Sequence, residues 1–348
     1  MNRDVVSALA AAVLFGASTP FAKLLTGDMA PVLVAGLLYL GSGLGLTAVR
    51  VLRDGTLSRL TLPPGEWRWL LGAIGFGGIL GPVALMFGLT STTASSASLL
   101  LNLEAVLTAV IAWYVFKENA DRTIVLGMAS IIAGGLVLSW PAGTTAPLDW
   151  IGPILVSIAC LCWAIDNNLT RKVSGSDALL VAGTKGLIAG CVNTALALSM
   201  GATMPGAWTT FATMLLGFLG YGISLVLFVL ALRGLGTART GAYFSTAPFM
   251  GSAIAIIVFG EATSPLFWLA AALMALGVGL HLTERHDHLH LHEPLEHRHE
   301  HVHDAHHQHA HDIEWTDSGA HDHSHRHLEI LHSHPHFPDV HHRHFHET

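Results

Sequence analysis

Ten long apolar runs dominate the first 283 residues, at about 4–25, 30–52, 67–89, 92–116, 122–140, 149–171, 178–200, 207–232, 237–260 and 264–283. Ionisable positions are sparse and cluster mainly between these runs. A hydrocarbon core of about 30 Å is crossed by roughly 20 mostly apolar residues in a helix, so each run is long enough to span one. A soluble domain could not keep this many such segments out of water. The pattern predicts an all-α polytopic membrane protein with ten transmembrane helices. The first run follows Arg3 but is too long for the apolar part of a signal peptide, and no clear small-residue cleavage site follows it. It is read as a retained span.

The pattern changes after residue 283. Residues 284–348 hold 13 acidic and 4 basic residues besides histidine, so the chain's net charge of −7 divides into a tail of −9 and a body of +2. All 24 histidines lie at or beyond His281. Such a split indicates two parts with different solvents. The tail has too few apolar residues to offset its ordering entropy, which predicts disorder in the absence of metal.

Basic residues give the orientation. The N-terminus, the even-numbered connections and the stretch after the last span hold twelve: Arg3, Arg50, Arg53, Arg59, Arg68, Lys117, Arg122, Arg171, Lys172, Arg233, Arg239 and Arg285. The odd-numbered connections hold only Lys23. Lys and Arg are retained in the cytoplasm, so both termini are expected to face inward across a cell (inner) membrane, with the tail cytoplasmic.

The two halves resemble each other. "LNLEAVLTAVIAWYVFKE" (Leu101–Glu118) lines up without gaps on "FSTAPFMGSAIAIIVFGE" (Phe244–Glu261), both ending in Val-Phe-x-Glu. More weakly, "FGASTPFAK" (Phe15–Lys23) matches "WAIDNNLTR" (Trp163–Arg171). A repeat of five spans sets its second copy upside down. Inverted repeats are a hallmark of secondary transporters, whose halves rock about a site near the midplane. The expected organisation is a first five-helix repeat over 1–142, a second over 143–283 and a tail over 284–348.

With these residues in view, the chain resembles the EamA-type drug/metabolite transporter superfamily. The resemblance covers about 4–283 and rests on "FGASTPFAK", on a fourth span of the form "ASSASLLLNLEAVLTAVIAWYVFKE", and on a Gly-rich fifth, "LGMASIIAGGLVL". Members often carry Glu-Pro in the fourth and ninth spans; here these read Glu104-Ala105 and Ala247-Pro248, each keeping half of the pair. The resemblance implies transport of small solutes and leaves the cargo open.

A charge at bilayer depth costs at least about 2.5–3.5 kcal/mol, so each one needs a reason. Glu104, with Asn102 close by, lies near the middle of the fourth span. It reads either as a carboxylate that exchanges protons or cations for cargo, or as a protonated side chain bonded to a neighbouring helix. Asp166 and Lys185 lie at similar depth on consecutive spans, where a pair would serve as clamp or gate. An unpaired Lys185 would favour a cargo carboxylate. Cys160 and Cys162, two apart, cannot share a helix face, whereas Cys162 and Asp166, four apart, can. A half-site there competes with the commoner packing role of small core cysteines. With Cys191 these are the only cysteines, and nothing suggests a disulfide framework. Pro20, Pro82 and Pro248 can bend helices and free backbone carbonyls.

In the tail, histidine alternates with other residues: His286, His288, His290 and His292; His297, His299, His301 and His303; His321, His323, His325 and His327; His332, His334 and His336. Imidazole has a reference pKa of about 6.5 and is largely neutral at cytoplasmic pH, free to bind Ni²⁺, Co²⁺, Zn²⁺ or Cu²⁺. The tail lacks cysteine, which argues against a Cu⁺ trap. A pH-responsive polyelectrolyte is the alternative.

The combination resembles His-tailed nickel/cobalt-resistance exporters of the same superfamily. The expected function is therefore export of Ni²⁺ or Co²⁺ by proton antiport. The alternative is export of an organic metabolite or amino acid, with the tail as metal-responsive regulator or store. A third reading makes the tail a membrane-tethered metal chaperone or sensor. No phosphate loop, nucleophile constellation or structured zinc pattern is present, so no enzyme is expected. Expected partners are the membrane and divalent ions, with a homodimer allowed and nucleic acid excluded.

Overall fold

The computed structural model describes residues 3–54, 65–116, 122–140, 150–173, 177–228, 230–231, 240, 243–283 and four tail segments, 287–292, 296–301, 321–326 and 330–335. It divides into a bundle, Met1–Glu284, and a tail unit, Arg285–Thr348. The bundle is all helix: α1 (Arg3–Leu25), α2 (Pro31–Asp54), α3 (Trp67–Ala73), α4 (Gly81–Thr90), α5 (Ala94–Leu100), α6 (Leu103–Phe116), α7 (Arg122–Leu138), α8 (Ile151–Thr170), α9 (Ala178–Ser199), α10 (Ala207–Gly217), α11 (Ala247–Phe259) and α12 (Pro265–Thr283). α3 runs through a π-helical segment, Ile74–Leu80, into α4, and a second π segment, Phe218–Ile223, follows α10. Among the described residues seven helical stretches are long and apolar enough to cross a bilayer, and α7, α11 and α12 supply three shorter apolar ones. The ninth predicted run begins at about 237, in a stretch that lies largely outside the described residues.

Glycine decides how closely these helices pack, because in lipid the association of helices rests on close approach rather than on the hydrophobic effect. Across the α2–α9 contact, a Cβ at Gly186 would lie 2.7 Å from the Gly43 Cα, and one at Gly43 would lie 2.3 Å from the Leu187 nitrogen. Between α7 and α12, a Cβ at Gly277 would come 2.6 Å from the Gly127 carbonyl oxygen. Further contacts join elements distant in sequence. α8 packs on α4 and α6, while α1 packs on α11 and on the second π segment.

The prolines take predictable places. Pro20 lies inside α1, and Pro248 sits in the first turn of α11, where a missing N–H costs little. Pro82 follows the π segment without a break, so its missing N–H leaves a carbonyl four or five residues earlier, that of Gly78 or Gly77, without its helical partner. The two π segments were not legible as period, but one sequence offset relates them. The gap-free match of Leu101–Glu118 onto Phe244–Glu261 carries Gly75–Leu80 onto Phe218–Ile223.

Side-chain caps tie the ends. Glu261 accepts the backbone N–H groups of Ala94 and Ser95 at 2.8 Å each, so the last residue of one Val-Phe-x-Glu motif anchors the start of α5. Asp177 caps α9 by accepting from Leu179 and Leu180, and it also receives Arg53 of α2 at 2.7 Å. Burial alone would push the Asp177 carboxyl up, but Arg53 and the two amides outweigh it and hold it below the usual carboxylate range. The cap's contribution is therefore present above the ordinary carboxylate pKa and is lost only as pH falls through the lowered value.

The tail departs from the expected disorder wherever it is described. It holds β1 (Asp287–His292), β2 (Glu296–His301), β3 (His321–Arg326) and β4 (Ile330–Pro335), with β1 antiparallel to β4 and β2 antiparallel to β3. The reason is visible in the pattern: His-x-His-x is the two-residue period of a strand as well as a composition typical of disorder. His286, His303, His327 and His336 lie outside the described residues.

Gly186→Val should abolish recovery of folded, monodisperse protein by size-exclusion chromatography, since its side chain would enter the Gly43 backbone. Gly279→Ala, where nothing lies within 4 Å of the new Cβ, should leave recovery unchanged. Asp177→Ala should cost about 1 kcal/mol of stability, read as a lower thermal midpoint in detergent.

Candidate transport cavity

The first π segment anchors α2, α8 and α9, whose side chains line a cavity. A π turn displaces the i→i−4 ladder and leaves carbonyls that need other partners. The Gly77 carbonyl accepts the Tyr39 hydroxyl at 2.8 Å and the Trp163 indole N–H at 3.0 Å, and the Gly78 carbonyl accepts the Asn193 amide at 3.1 Å. α2, α8 and α9 are thereby fixed to one short stretch of backbone. Gly77 admits no side chain, because a Cβ there would lie 1.9 Å from Asp166 Oδ2.

The cavity has a volume of about 400 Å³ and is lined by residues of α1, α2, α6, α8, α9 and the second π segment, among others. Phe15, Tyr39, Trp163, Tyr221, Phe228 and Phe244 form the aromatic part of its wall. Their rings are coupled: Phe15 meets Phe244 at 5.3 Å and Tyr221 edge-on at 5.9 Å, Tyr39 meets Tyr221 at 5.5 Å, and Phe228 meets Phe244 at 4.8 Å. Such a wall takes apolar or aromatic surface and attracts cations over its ring faces.

Three charged residues face this wall. Lys185 of α9 is paired with Asp166 of α8, and the other oxygen of Asp166 accepts the Thr170 hydroxyl at 2.9 Å. Glu104 of α6 accepts the Asn167 amide at 2.8 Å and forms no ion pair among the described residues. Asn167 in turn reaches the Thr108 hydroxyl at 3.4 Å. Glu104, Asp166 and Lys185 all line the cavity.

Asn102 does not. It is buried in the turn between α5 and α6, where its amide donates to the Leu99 carbonyl at 2.9 Å and serves the break in the helix. Cys160 and Cys162 are buried in α8, and Cys160 packs its thiol against the Leu100 carbonyl at 3.7 Å. Among the described residues no group of three His, Cys, Asp or Glu side chains is placed to hold a metal ion.

Asn167 and the aromatic wall were not singled out in the sequence, although a signal existed. Phe15 and Trp163 head the two weakly matched stretches "FGASTPFAK" and "WAIDNNLTR", and both line the cavity. The repeated Val-Phe-x-Glu likewise marked Glu261 without revealing that it caps α5.

Comparison with known proteins agrees with this architecture. The EamA-like transporter family matches residues 3–140 and again residues 150–283. A protein of Methanothermobacter thermautotrophicus described as an uncharacterized transporter is 26% identical over 289 residues, covering 78% of this chain and 84% of its own. The Bacillus subtilis uncharacterized transporter YyaM is 25% identical over 222 residues, covering 59% of this chain and 70% of its own. A protein of known crystal structure shares the fold with a TM-score of 0.60 at 21% identity, covering 79% of this chain and 95% of its own. The chain belongs to the EamA-like transporter family and is a multi-pass membrane transporter rather than an enzyme.

Proposed function

We propose that this secondary transporter exports small organic solutes carrying an amino group on an apolar or aromatic body, in exchange for protons. The observation that carries the reading is Glu104: a carboxylate on the wall of an aromatic-lined cavity, held by Asn167 and by no ion pair among the described residues. An ammonium group on the cargo would supply its counter-charge, and the rings of Tyr221 and Phe244 would take the body. A proton occupying Glu104 after release would reset the site. A cavity of about 400 Å³ is in the range that holds a metabolite or amino acid.

The expectation of Ni²⁺ or Co²⁺ as cargo gives way to this alternative. The bundle supplies no three-ligand group among the described residues, and its cavity wall is aromatic. Pairing with Asp166 also removes Lys185 as a ready anchor for a cargo carboxylate. Under this reading the pair is a latch between α8 and α9, the two helices lying at matching depth. A cytoplasmic tail is supported by the twelve-to-one distribution of basic residues between the two sides. The tail then acts as a metal-responsive regulator or store.

In proteoliposomes with an imposed pH gradient, an aromatic amine or amino acid from a screened panel should accumulate against its own gradient. Glu104→Gln should reduce that flux at least tenfold with the protein still folded. Equal flux in the variant would defeat the proton-coupling role, and gradient-driven Ni²⁺ flux through the intact protein would defeat the cargo assignment. For the latch, Asp166→Asn and Lys185→Met alone should each cost about 3 kcal/mol, because each strands a buried charge. The double variant should recover most of that stability in thermal unfolding.

A further inference from the structure

The lining of the cavity is placed unevenly along the helices. At one end of the bundle it reaches Asn167, near the end of α8, and Ala182, near the start of α9. Towards the opposite end, where α1 meets α2 and α4 meets α5, the nearest lining residue by position is Tyr39, roughly two turns into α2. On the distribution of basic residues this second end is the outer one.

The turn Ser91–Thr93 between α4 and α5 lies at that outer end, and three elements hold it. Lys23 of α1 donates to the Leu89 carbonyl in the last turn of α4, where helical carbonyls run out of partners. On the other side of the turn, Glu261 accepts the amides of Ala94 and Ser95 at 2.8 Å each. Gly260, at a φ of 67°, ends α11 in a left-handed turn that directs the chain to this place. At the start of α8, a Cβ on Gly152 would lie 1.9 Å from Thr92 Oγ1, so α8 abuts the same turn. Beneath it, Phe21 meets Phe259 edge-on at 5.3 Å, and the Ser252 hydroxyl donates to the Ser95 carbonyl at 2.8 Å.

The turn and Lys23 belong to the first stretch matched by the family, and Glu261 and Gly152 to the second. The grip therefore crosses the seam along which two halves would rock. Its two charges bond backbone on either side of the turn and attract each other across it. A hydrogen bond at the end of the bundle can be exchanged for water when the halves part, which close glycine packing cannot. We propose that Lys23 and Glu261 are outer gate residues of the transport cycle: their hold on the turn Ser91–Thr93 closes the exit while the cavity faces the cytoplasm, and its release opens the exit to cargo. This rests on transport through the cavity and not on which solute is carried.

The test labels single cysteines with a membrane-impermeant thiol reagent in oriented vesicles, in a chain whose native cysteines are replaced. Ser98→Cys lies one turn below the gate, against Gly251, and Leu225→Cys lines the cavity. With the gate intact, Ser98→Cys should react poorly from the outer side and Leu225→Cys readily from the cytoplasmic side. Glu261→Gln and Lys23→Met should each raise outer labelling of Ser98→Cys about tenfold, the shift expected from losing one charge-assisted hydrogen bond, without raising cytoplasmic labelling of Leu225→Cys. Asp28→Asn, which removes a charge from the same end outside the grip, should change neither. Unchanged labelling of Ser98→Cys in both variants would overturn the gate. A rise at both cysteines would show loosened packing and would overturn it too. The assay needs no cargo, so a failure to find amine flux would sink the proposed function and leave this reading standing.

Discussion

Hydrocarbon offers a backbone carbonyl no hydrogen-bond partner, so any irregular backbone in a membrane helix must be satisfied by the protein itself. Two residues of the cavity wall, Tyr39 and Trp163, answer that constraint at the π segment Ile74–Leu80. Its Gly77 and Gly78 carbonyls draw in Tyr39, Trp163 and Asn193 from three other helices. The absence of a side chain at Gly77 lets Asp166 pack against it, and Asp166 holds Lys185. The positions of Tyr39 and Trp163 in the wall, and of the latch, thus follow from a local break in helical period placed among glycines.

The charges divide by partner. Asp166 and Lys185 satisfy each other, so their presence at bilayer depth is offset within the bundle. Glu104 has only the Asn167 amide and, more distantly through it, Thr108. A carboxylate left in this condition inside an aromatic cavity is suited to a partner that comes and goes. A permanent metal centre would need converging ligands, which the described bundle does not bring together.

Much of the bundle was legible from its apolar runs, because a span must be apolar over its whole length. Glu104, Asp166 and Lys185 were legible for the converse reason: each is a charge where charge is costly, and all three line the cavity. For Asn102, proximity to Glu104 along the chain does not register the turn between α5 and α6, which directs its amide to Leu99. The π segments left no periodic signature, since a run of Gly, Phe, Ile and Leu is compatible with either helix. In the tail, composition pointed to disorder while the alternation of histidine pointed to strands, and only the pairing register chooses between them.

The central claim is that the solute passes through the cavity walled by the six aromatic residues and Glu104. Its most direct test is thiol accessibility at Leu225, another residue of that wall, in a chain whose three native cysteines have been replaced. Leu225→Cys in oriented vesicles would be exposed to a membrane-impermeant thiol reagent from each side, with and without a transported amine. The account predicts labelling whose favoured side changes with the imposed pH gradient and whose rate falls when the solute is present. Labelling from one side only, at a rate indifferent to both gradient and solute, would contradict it.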